Sequence, residues 1–364
     1  MLSRILLSVA VVIAVMGVHL RADDVFVRGR DKPAKGDVKS ESAKELSVGK
    51  ELPIAGADII DVHYDGLKPI DLNLSGGSYK VAKDAEKELA KDGGDPVKRK
   101  AALYRAIKGY SETLTKMGPH KFAGRHLEYK VAVLTVQQAL MDQVSPIRGV
   151  EKLQEFKTKF PNSWQINQVM PMIAQLQFDE KNYKGAEQTL QEMSEMEVFS
   201  DEVRREAELK IVQIAVKAND LVLAQKRLDA LAKKAKGNVL FMSRVNMTKA
   251  EVLVSQKKTE EAMALLNQIL KDNNDKTVKA TAHNTLGECL YKADRYDAAL
   301  WEFLWVDTVY NQDKAQHAKS LYYLWQTFEK LNNAERAQEC RELLLNNTQF
   351  TGTEYQRLGQ AKVK

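Results

Sequence analysis

The 364-residue sequence contains only two cysteines, Cys289 and Cys340. Two cysteines cannot form a disulfide framework for a chain of this length, so packing must stabilise the fold. Each cysteine lies in a stretch with a strongly helical pattern, which favours two buried free thiols. A bond between them is still compatible with the sequence if the protein is exported.

A strong net charge is also absent. The chain has 55 Lys and Arg residues against 49 Asp and Glu residues, a formal net charge of +6. Proteins that bind nucleic acids usually concentrate a much stronger basic charge. The charge balance therefore argues against a nucleic-acid partner.

Motifs for catalysis and metal binding are missing as well. None of the six histidines forms an H-x-x-x-H pair, and no G-x-S-x-G turn or P-loop occurs. Asp58, Asp61 and Asp65 are spaced along one edge of a predicted strand or turn, but the remaining ligands of a calcium loop are absent. We therefore expect a protein that is not an enzyme and that uses no cofactor or metal.

Long apolar runs are absent except near the start of the chain. Residues 5–18 form an apolar run of about 14 residues, which is short for a membrane span. Arg4 precedes this run, and Ala22 provides a small residue for cleavage, as is typical of a signal peptide over residues 1–22. The sequence therefore predicts a periplasmic or secreted protein. An uncleaved anchor is the alternative, and we expect membrane contact only in that case.

The segment that follows, residues 23–66, differs from the rest of the chain. Short runs with rough apolar alternation are separated by Gly and Pro residues, which predicts four or five short strands. This β-unit is small for independent folding and is expected to pack on its neighbour. Residues 59–64 (IIDVHY) resemble the closing strand of a small β-barrel found before helical repeats in some exported bacterial proteins. The resemblance implies a small SH3-like barrel.

Helical periodicity begins after a predicted linker at residues 67–78, where Pro69, Gly76 and Gly77 break regular structure. Residues 79–129 predict two or more N-terminal helices. Asp95 is a suitable N-cap, and Pro96 suits the first position of a helix.

A small residue then recurs at intervals of 37 or 38 positions. In nearly every copy, apolar residues follow it four and seven positions later, which places them on one face of a helix. An earlier helix and a polar break precede each copy, so each unit is predicted to be helix, tight turn, helix. The recurring small residues are Gly149, Ala186, Ala224, Ala262, Ala299 and Ala337.

The unit that begins near Ala280 resembles a tetratricopeptide repeat. The residues that carry the resemblance are Leu286, Gly287, Tyr291, Tyr296, Ala299 and Phe303. The motif is about 34 residues long, so the longer units predict extended turns between repeats. The resemblance covers about residues 130–348, with 349–364 as a C-terminal tail. It implies a mainly α fold, an α-solenoid of about six helix pairs whose concave face binds a protein or peptide.

The resemblance also indicates which residues face the groove of the solenoid. Eleven positions before each small residue, every unit has Gln or Glu: Gln138, Gln175, Gln213, Glu251, Glu288 and Gln326. We interpret this ladder as a grip on a peptide backbone, with Tyr291 and Tyr322 beside it. The alternative is a solvated helix face, because Gln and Glu are good helix formers.

Two other features suggest partners. Trp301 and Trp305 lie off the predicted packing face and form either a hydrophobic docking patch or inter-repeat packing. Residues 97–130 hold nine Lys or Arg residues against two Glu residues. This basic segment either contacts an anionic polymer of the cell envelope or is a solvated face.

Together, these patterns predict a non-catalytic scaffold or adaptor of the cell envelope. A self-associating structural component of the envelope, and a regulatory subunit of an envelope enzyme, are the alternatives.

Overall fold

A computed structural model describes residues 23–64, 77–90, 95–117, 122–142 and 144–363. The predicted signal peptide and almost all of the predicted linker lie outside these ranges. Within the described ranges, no helix is both long and apolar enough to cross a membrane.

The N-terminal β-unit consists of two small antiparallel sheets rather than a closed barrel, so the expected SH3-like barrel is wrong. One sheet has the order β2-β1-β6 and the other β3-β4-β5. The strands are β1 (Asp23–Val27), β2 (Ala34–Gly36), β3 (Val38–Glu41), β4 (Glu45–Val48), β5 (Ile54–Ala55) and β6 (Ile59–His63).

The separation of the two sheets has a local cause. The chain leaves the first sheet at Gly36, whose φ of 146° is rarely open to other residues. A Cβ on Gly36 would lie 2.5 Å from the Cα of Gly49, so the backbone of β2 meets the end of β4 too closely for any side chain. The strands, of two to five residues, therefore fall into two sheets on either side of this point.

The β-unit shares its core with the first helices, α1 (Ser78–Leu89), α2 (Pro96–Lys116) and α3 (Ala123–Met141). Leu46 and Val62 are fully buried, and they belong to the same apolar cluster as Leu103 and Leu127. The β-unit therefore packs on its helical neighbour, as its small size led us to expect. Asp95 caps α2 as predicted, since its Oδ1 accepts the N–H of Val97 at 2.9 Å.

Six helix pairs follow, and they confirm the predicted α-solenoid of tetratricopeptide-like units. The pairs are α3 with α4 (Ile147–Lys159), α5 (Ile166–Asp179) with α6 (Tyr183–Glu195), α7 (Asp201–Lys217) with α8 (Leu221–Lys234), α9 (Val239–Ser255) with α10 (Thr259–Asp272), α11 (Lys276–Lys292) with α12 (Tyr296–Thr308), and α13 (Lys314–Lys330) with α14 (Ala334–Asn346).

The turn inside each of the last five pairs has the same backbone geometry. One residue per turn adopts a left-handed φ between 56° and 62°, five positions before the recurring small residue: Lys181, Asn219, Lys257, Asp294 and Asn332. The next N–H then returns to a carbonyl five residues earlier, as from Asn182 to Gln177 at 2.8 Å. This closure terminates the first helix and starts the second at a fixed angle.

The recurring small residues lie where the paired helices cross. Ala186, Ala224, Ala262 and Ala299 have no exposed surface. Gly149 replaces alanine in the first pair because a Cβ there would lie 2.4 Å from a methyl group of Val136.

The last residues fold back on the solenoid. Residues 349–364, assigned to a tail from the sequence, contain the end of a short 3-10 turn (Thr348–Phe350) and the helix α15 (Glu354–Val363). Phe350 is buried, and Gln356 Nε2 donates to the carbonyl of Leu344 at 3.1 Å. The helix α15 therefore covers the exposed end of the last pair, a role that terminal elements of repeat arrays serve.

Candidate functional site

The first helices of the pairs line a groove that contains two adjoining clefts. Cleft A has a volume of ≈ 380 Å³ and cleft B a volume of ≈ 250 Å³, and both are bordered by Gln213 and Glu251. Cleft A is further lined by Glu206, Leu240, Arg244, Asp275 and Gln316. Cleft B is further lined by Phe178, Lys217, Glu288, Lys292, Lys319 and Tyr355.

The middle of the predicted Gln/Glu ladder borders these clefts. Gln213 Nε2 donates to Glu251 Oε2 at 3.3 Å, which joins neighbouring units across the groove. Gln175 lies one unit earlier and accepts a hydrogen bond from Lys210 Nζ at 3.3 Å. Gln175 and the two end positions, Gln138 and Gln326, line neither cleft. Of the six ladder residues, only the central Gln213, Glu251 and Glu288 therefore line the clefts.

Glu288 is committed to partners inside the protein. It forms an ion pair with Lys319, and Tyr323 OH donates to its Oε2 at 3.0 Å. Burial would raise the pKa of Glu288, but the Lys319 ammonium outweighs burial and holds that pKa below its usual range. Burial would likewise lower the pKa of Lys319, and Glu288 instead raises it. Packing of α11 on α13 thus accounts for Glu288 without a ligand.

Glu251 has a different environment. Burial raises the pKa of this carboxyl group. The charges of Lys319 and Lys217 oppose the rise, and the charge of Glu288 adds to it. Within the described ranges, its carboxylate has no Lys, Arg or His partner at ion-pair distance. Glu251 is partly buried, and a carboxylate in such a position without a cation at close range carries a cost of desolvation.

The last helix closes one side of the groove. Arg357 on α15 reaches Asp179 at the end of α5 with an N–O distance of 2.9 Å, across 178 positions of sequence. Tyr355, from the same helix, lies over Lys319 with 5.8 Å between the ammonium and the ring centroid. Sequence reasoning missed Tyr355 and Arg357, because no repeat position marks them and their contacts are long-range.

The two tyrosines predicted beside the ladder belong to an aromatic cluster rather than to either cleft. Tyr291 packs against Tyr323 with 5.9 Å between ring centroids. Tyr322 packs against Tyr355 at 5.5 Å and against Trp325 at 6.2 Å. These contacts join α11, α13 and α15.

The two predicted tryptophans are exposed on the outer helix α12. Trp301 is 66% exposed and Trp305 is 48% exposed. The ring of Trp305 stacks on His283, whose Nδ1 lies 2.7 Å from Glu302 Oε2. Packing within its own helix pair, α11 with α12, therefore accounts for one face of Trp305, and Trp301 stays largely exposed.

The basic segment 97–130 is largely paired inside the protein. Lys100 lies 2.6 Å from Asp142, and Arg105 lies 2.5 Å from Glu88. Arg125 forms an ion pair with Glu41 of the β-unit. Lys98 and Lys116 are exposed and Arg99 is partly exposed, and none of the three has an ion pair in the described part of the chain.

A buried polar network joins the β-unit to the helices. Asp61 on β6 lies 3.2 Å from His126 Nε2 and 3.1 Å from Lys130 Nζ, and Lys130 also reaches Glu86 at 3.2 Å. Burial would raise the pKa of Asp61, but its bonds to His126 and His63 and the charge of Lys130 hold it well below the usual range. Burial lowers the pKa of His126, although Asp61 opposes this.

The members of this network bind one another, so the network stabilises the contact between the β-unit and α3. Among the described residues, no group of three or more His, Cys, Asp or Glu side chains is arranged to hold a metal ion.

These helix pairs, with their shared turn geometry and groove, define a tetratricopeptide-like α-solenoid. No family model and no curated protein matches the sequence. A solved tetratricopeptide repeat protein from Parabacteroides merdae matches with a TM-score of 0.50 and 11% identity, covering 78% of this chain and 99% of that one. At such identity the likeness shows the fold, which confirms the predicted resemblance.

Weaker matches include a Rap protein complexed with competence and sporulation factor, with a TM-score of 0.47, 15% identity, and 78% and 80% of the two chains covered. Yeast Tom70 matches with a TM-score of 0.44, 12% identity, and 79% and 58% covered.

Proposed function

We propose that this protein is a non-catalytic scaffold or adaptor of the cell envelope that binds a peptide or protein segment in its groove. The observation that carries the proposal is the pair of clefts on either side of Gln213 and Glu251. A polar groove lined by successive first helices also suits an extended or helical segment, which presents backbone amides at regular spacing.

The experiment compares partner capture by the wild-type chain and by a triple variant, Gln175→Ala, Gln213→Ala and Glu251→Ala. Both are used as bait in an envelope extract, with captured proteins quantified by mass spectrometry. We expect the triple variant to lose the partners that the wild type enriches, while its circular dichroism spectrum is unchanged. The control replaces outer residues of the same types, Gln338 and Glu342, by Ala. Equal capture by wild type and triple variant would refute groove binding.

Export is part of the same proposal and rests on residues 1–22. We expect the chain to reach the periplasm or medium in processed form, and a chain without residues 1–22 to stay in the cytoplasm. Cell fractionation and the mass of the exported species test this. An unprocessed mass in the membrane fraction would favour the anchor instead.

Self-association is a second candidate function, favoured by the exposure of Trp301 and Trp305 on α12. Aromatic side chains are enriched at interfaces and costly to leave in water. If α12 mediates assembly, sedimentation of the wild type should show a mass above the monomer. A Trp301→Glu, Trp305→Glu variant should then sediment as a monomer. A monomeric wild type over the micromolar range would exclude this role.

A further inference from the structure

Three carboxylates line cleft A, and two of them have partners within the protein. Glu206 Oε2 lies 3.0 Å from Arg244 Nη2, so this acid and the cation of the cleft neutralise each other. Asp275 Oδ1 accepts the N–H of Val278 at 2.9 Å and caps the start of α11. Both of these carboxylates already have a structural role. The third carboxylate of cleft A is that of Glu251.

Glu251 lacks such a role. Within the described residues, the one hydrogen bond to its carboxylate comes from Gln213 at 3.3 Å, which is long for a carboxylate acceptor. The neighbouring ladder acid, Glu288, is already paired with Lys319 on the cleft B side. Glu251 is partly buried and has no ion-pair partner of this kind, so an incoming cation would offset the cost of its desolvation.

The walls of cleft A suit a long basic side chain. Leu209, Leu240 and Met247 provide apolar surface, while Gln213 and Gln316 provide amide groups. Lysine and arginine bury aliphatic stems along apolar surface and direct the charged end to polar partners. The volume of ≈ 380 Å³ is sufficient for one such side chain with its backbone.

We propose that cleft A binds a peptide segment through a lysine or arginine side chain whose cationic group pairs with Glu251. This inference rests on the proposed function, because it names the chemistry of the segment that the groove receives. Gln213 and Glu251 both lie at the boundary of the two clefts, and the hydrogen bond from Gln213 holds the Glu251 carboxylate in place there. An acidic side chain in the same cleft would meet three carboxylates and a single arginine that is already paired.

The experiment selects peptides from a random 12-residue phage-display library on the purified full-length chain. The expected result is a consensus with Lys or Arg at one fixed position. A synthetic consensus peptide is then made with Arg, Lys, uncharged norleucine or Glu at that position, and each form is titrated against three proteins. These are the wild type, Glu251→Gln, and the matched outer control Glu342→Gln.

Loss of the charge pair should weaken binding of the Arg or Lys peptide to Glu251→Gln by about tenfold to a hundredfold. Norleucine in the peptide should weaken binding to the wild type similarly and cause little further loss with Glu251→Gln. The Arg and Lys forms distinguish a guanidinium from an ammonium ligand. Glu342→Gln should bind like the wild type.

Two outcomes would overturn the inference without touching the proposed function: a consensus with no basic position, or equal affinity of wild type and Glu251→Gln for the basic peptide. Glu251→Gln preserves side-chain volume, and a thermal unfolding curve is recorded to check that the variant is folded. If no peptide is enriched on the wild type, and the bait experiment finds no groove-dependent partner, then the proposed function fails and this inference fails with it.

Discussion

Gly287 and Phe303 show how one residue type controls the approach of two helices. A Cβ on Gly287 would lie 2.6 Å from Cε1 of Phe303, which is closer than real Cβ contacts permit. Phe303 is fully buried, and its ring stacks on Tyr323 of the next pair at 5.1 Å. The ring therefore occupies the volume that any side chain at position 287 would need.

Gly287→Val should lower the free energy of unfolding by about 1–3 kcal/mol, because it overpacks this crossing. Urea unfolding followed by circular dichroism measures the change. The matched control is Gly124→Ala, also within a helix, where the nearest atoms to an added Cβ lie 3.9 Å away. Gly124 is the second residue of α3, so this change should alter the free energy of unfolding by no more than about 0.5 kcal/mol. A neutral Gly287→Val would contradict the crossing geometry.

The ladder residues show the limit of reasoning at this scale. Six equivalent positions hold Gln or Glu, yet their surroundings differ. Glu288 has a lysine on the neighbouring helix, whereas Glu251, one unit earlier, has only an amide. The repeat position indicates that a side chain points into the groove. The neighbouring helix determines whether that side chain is already paired or can still bind a ligand.

At the scale of elements, ion pairs as well as apolar packing hold β6 against α3. Asp61 joins His126 and Lys130 in a buried network, and removal of one member of such a network leaves the others uncompensated. The pKa of Asp61 is lowered in the folded state, so its contribution to stability is fully present above its unfolded value, 3.8. The contribution is lost as pH falls below that value.

His126 also makes the folded state less stable as pH falls. Burial lowers its pKa below 6.5, so the unfolded chain takes up a proton first as pH falls, and folding stability declines. Asp61→Asn should cost about 3 kcal/mol at pH 7. It should also flatten the decline of stability below pH 5. Urea unfolding at a series of pH values tests both, and an unchanged acid-side slope would show that the network does not act as described.

At the scale of the whole molecule, α15 connects the end of the solenoid to its second pair. Arg357 is 40% exposed in its pair with Asp179, so the bond contributes at most about 1 kcal/mol to stability. Its effect is on geometry, because it fixes the distance between helices that are far apart in sequence.

Arg357→Asp should therefore increase the radius of gyration measured by small-angle X-ray scattering, while the free energy of unfolding changes by no more than about 1 kcal/mol. The double variant Arg357→Asp, Asp179→Arg should restore the compact form. If the single variant scatters like the wild type, apolar contacts such as that of Tyr355 with Tyr322 hold α15 without the ion pair.

The sequence by itself determined the repeat, its helix pairs and the positions where helices cross, because helical periodicity and small residues are local signals. It also indicated the short strands and the cap at Asp95. The tertiary structure alone decided that the β-unit forms two open sheets, that α15 closes the groove, and that Glu288 is paired while Glu251 is not. These features depend on contacts between residues tens to hundreds of positions apart. Such contacts produce no periodic pattern in the sequence, so the sequence alone does not reveal them.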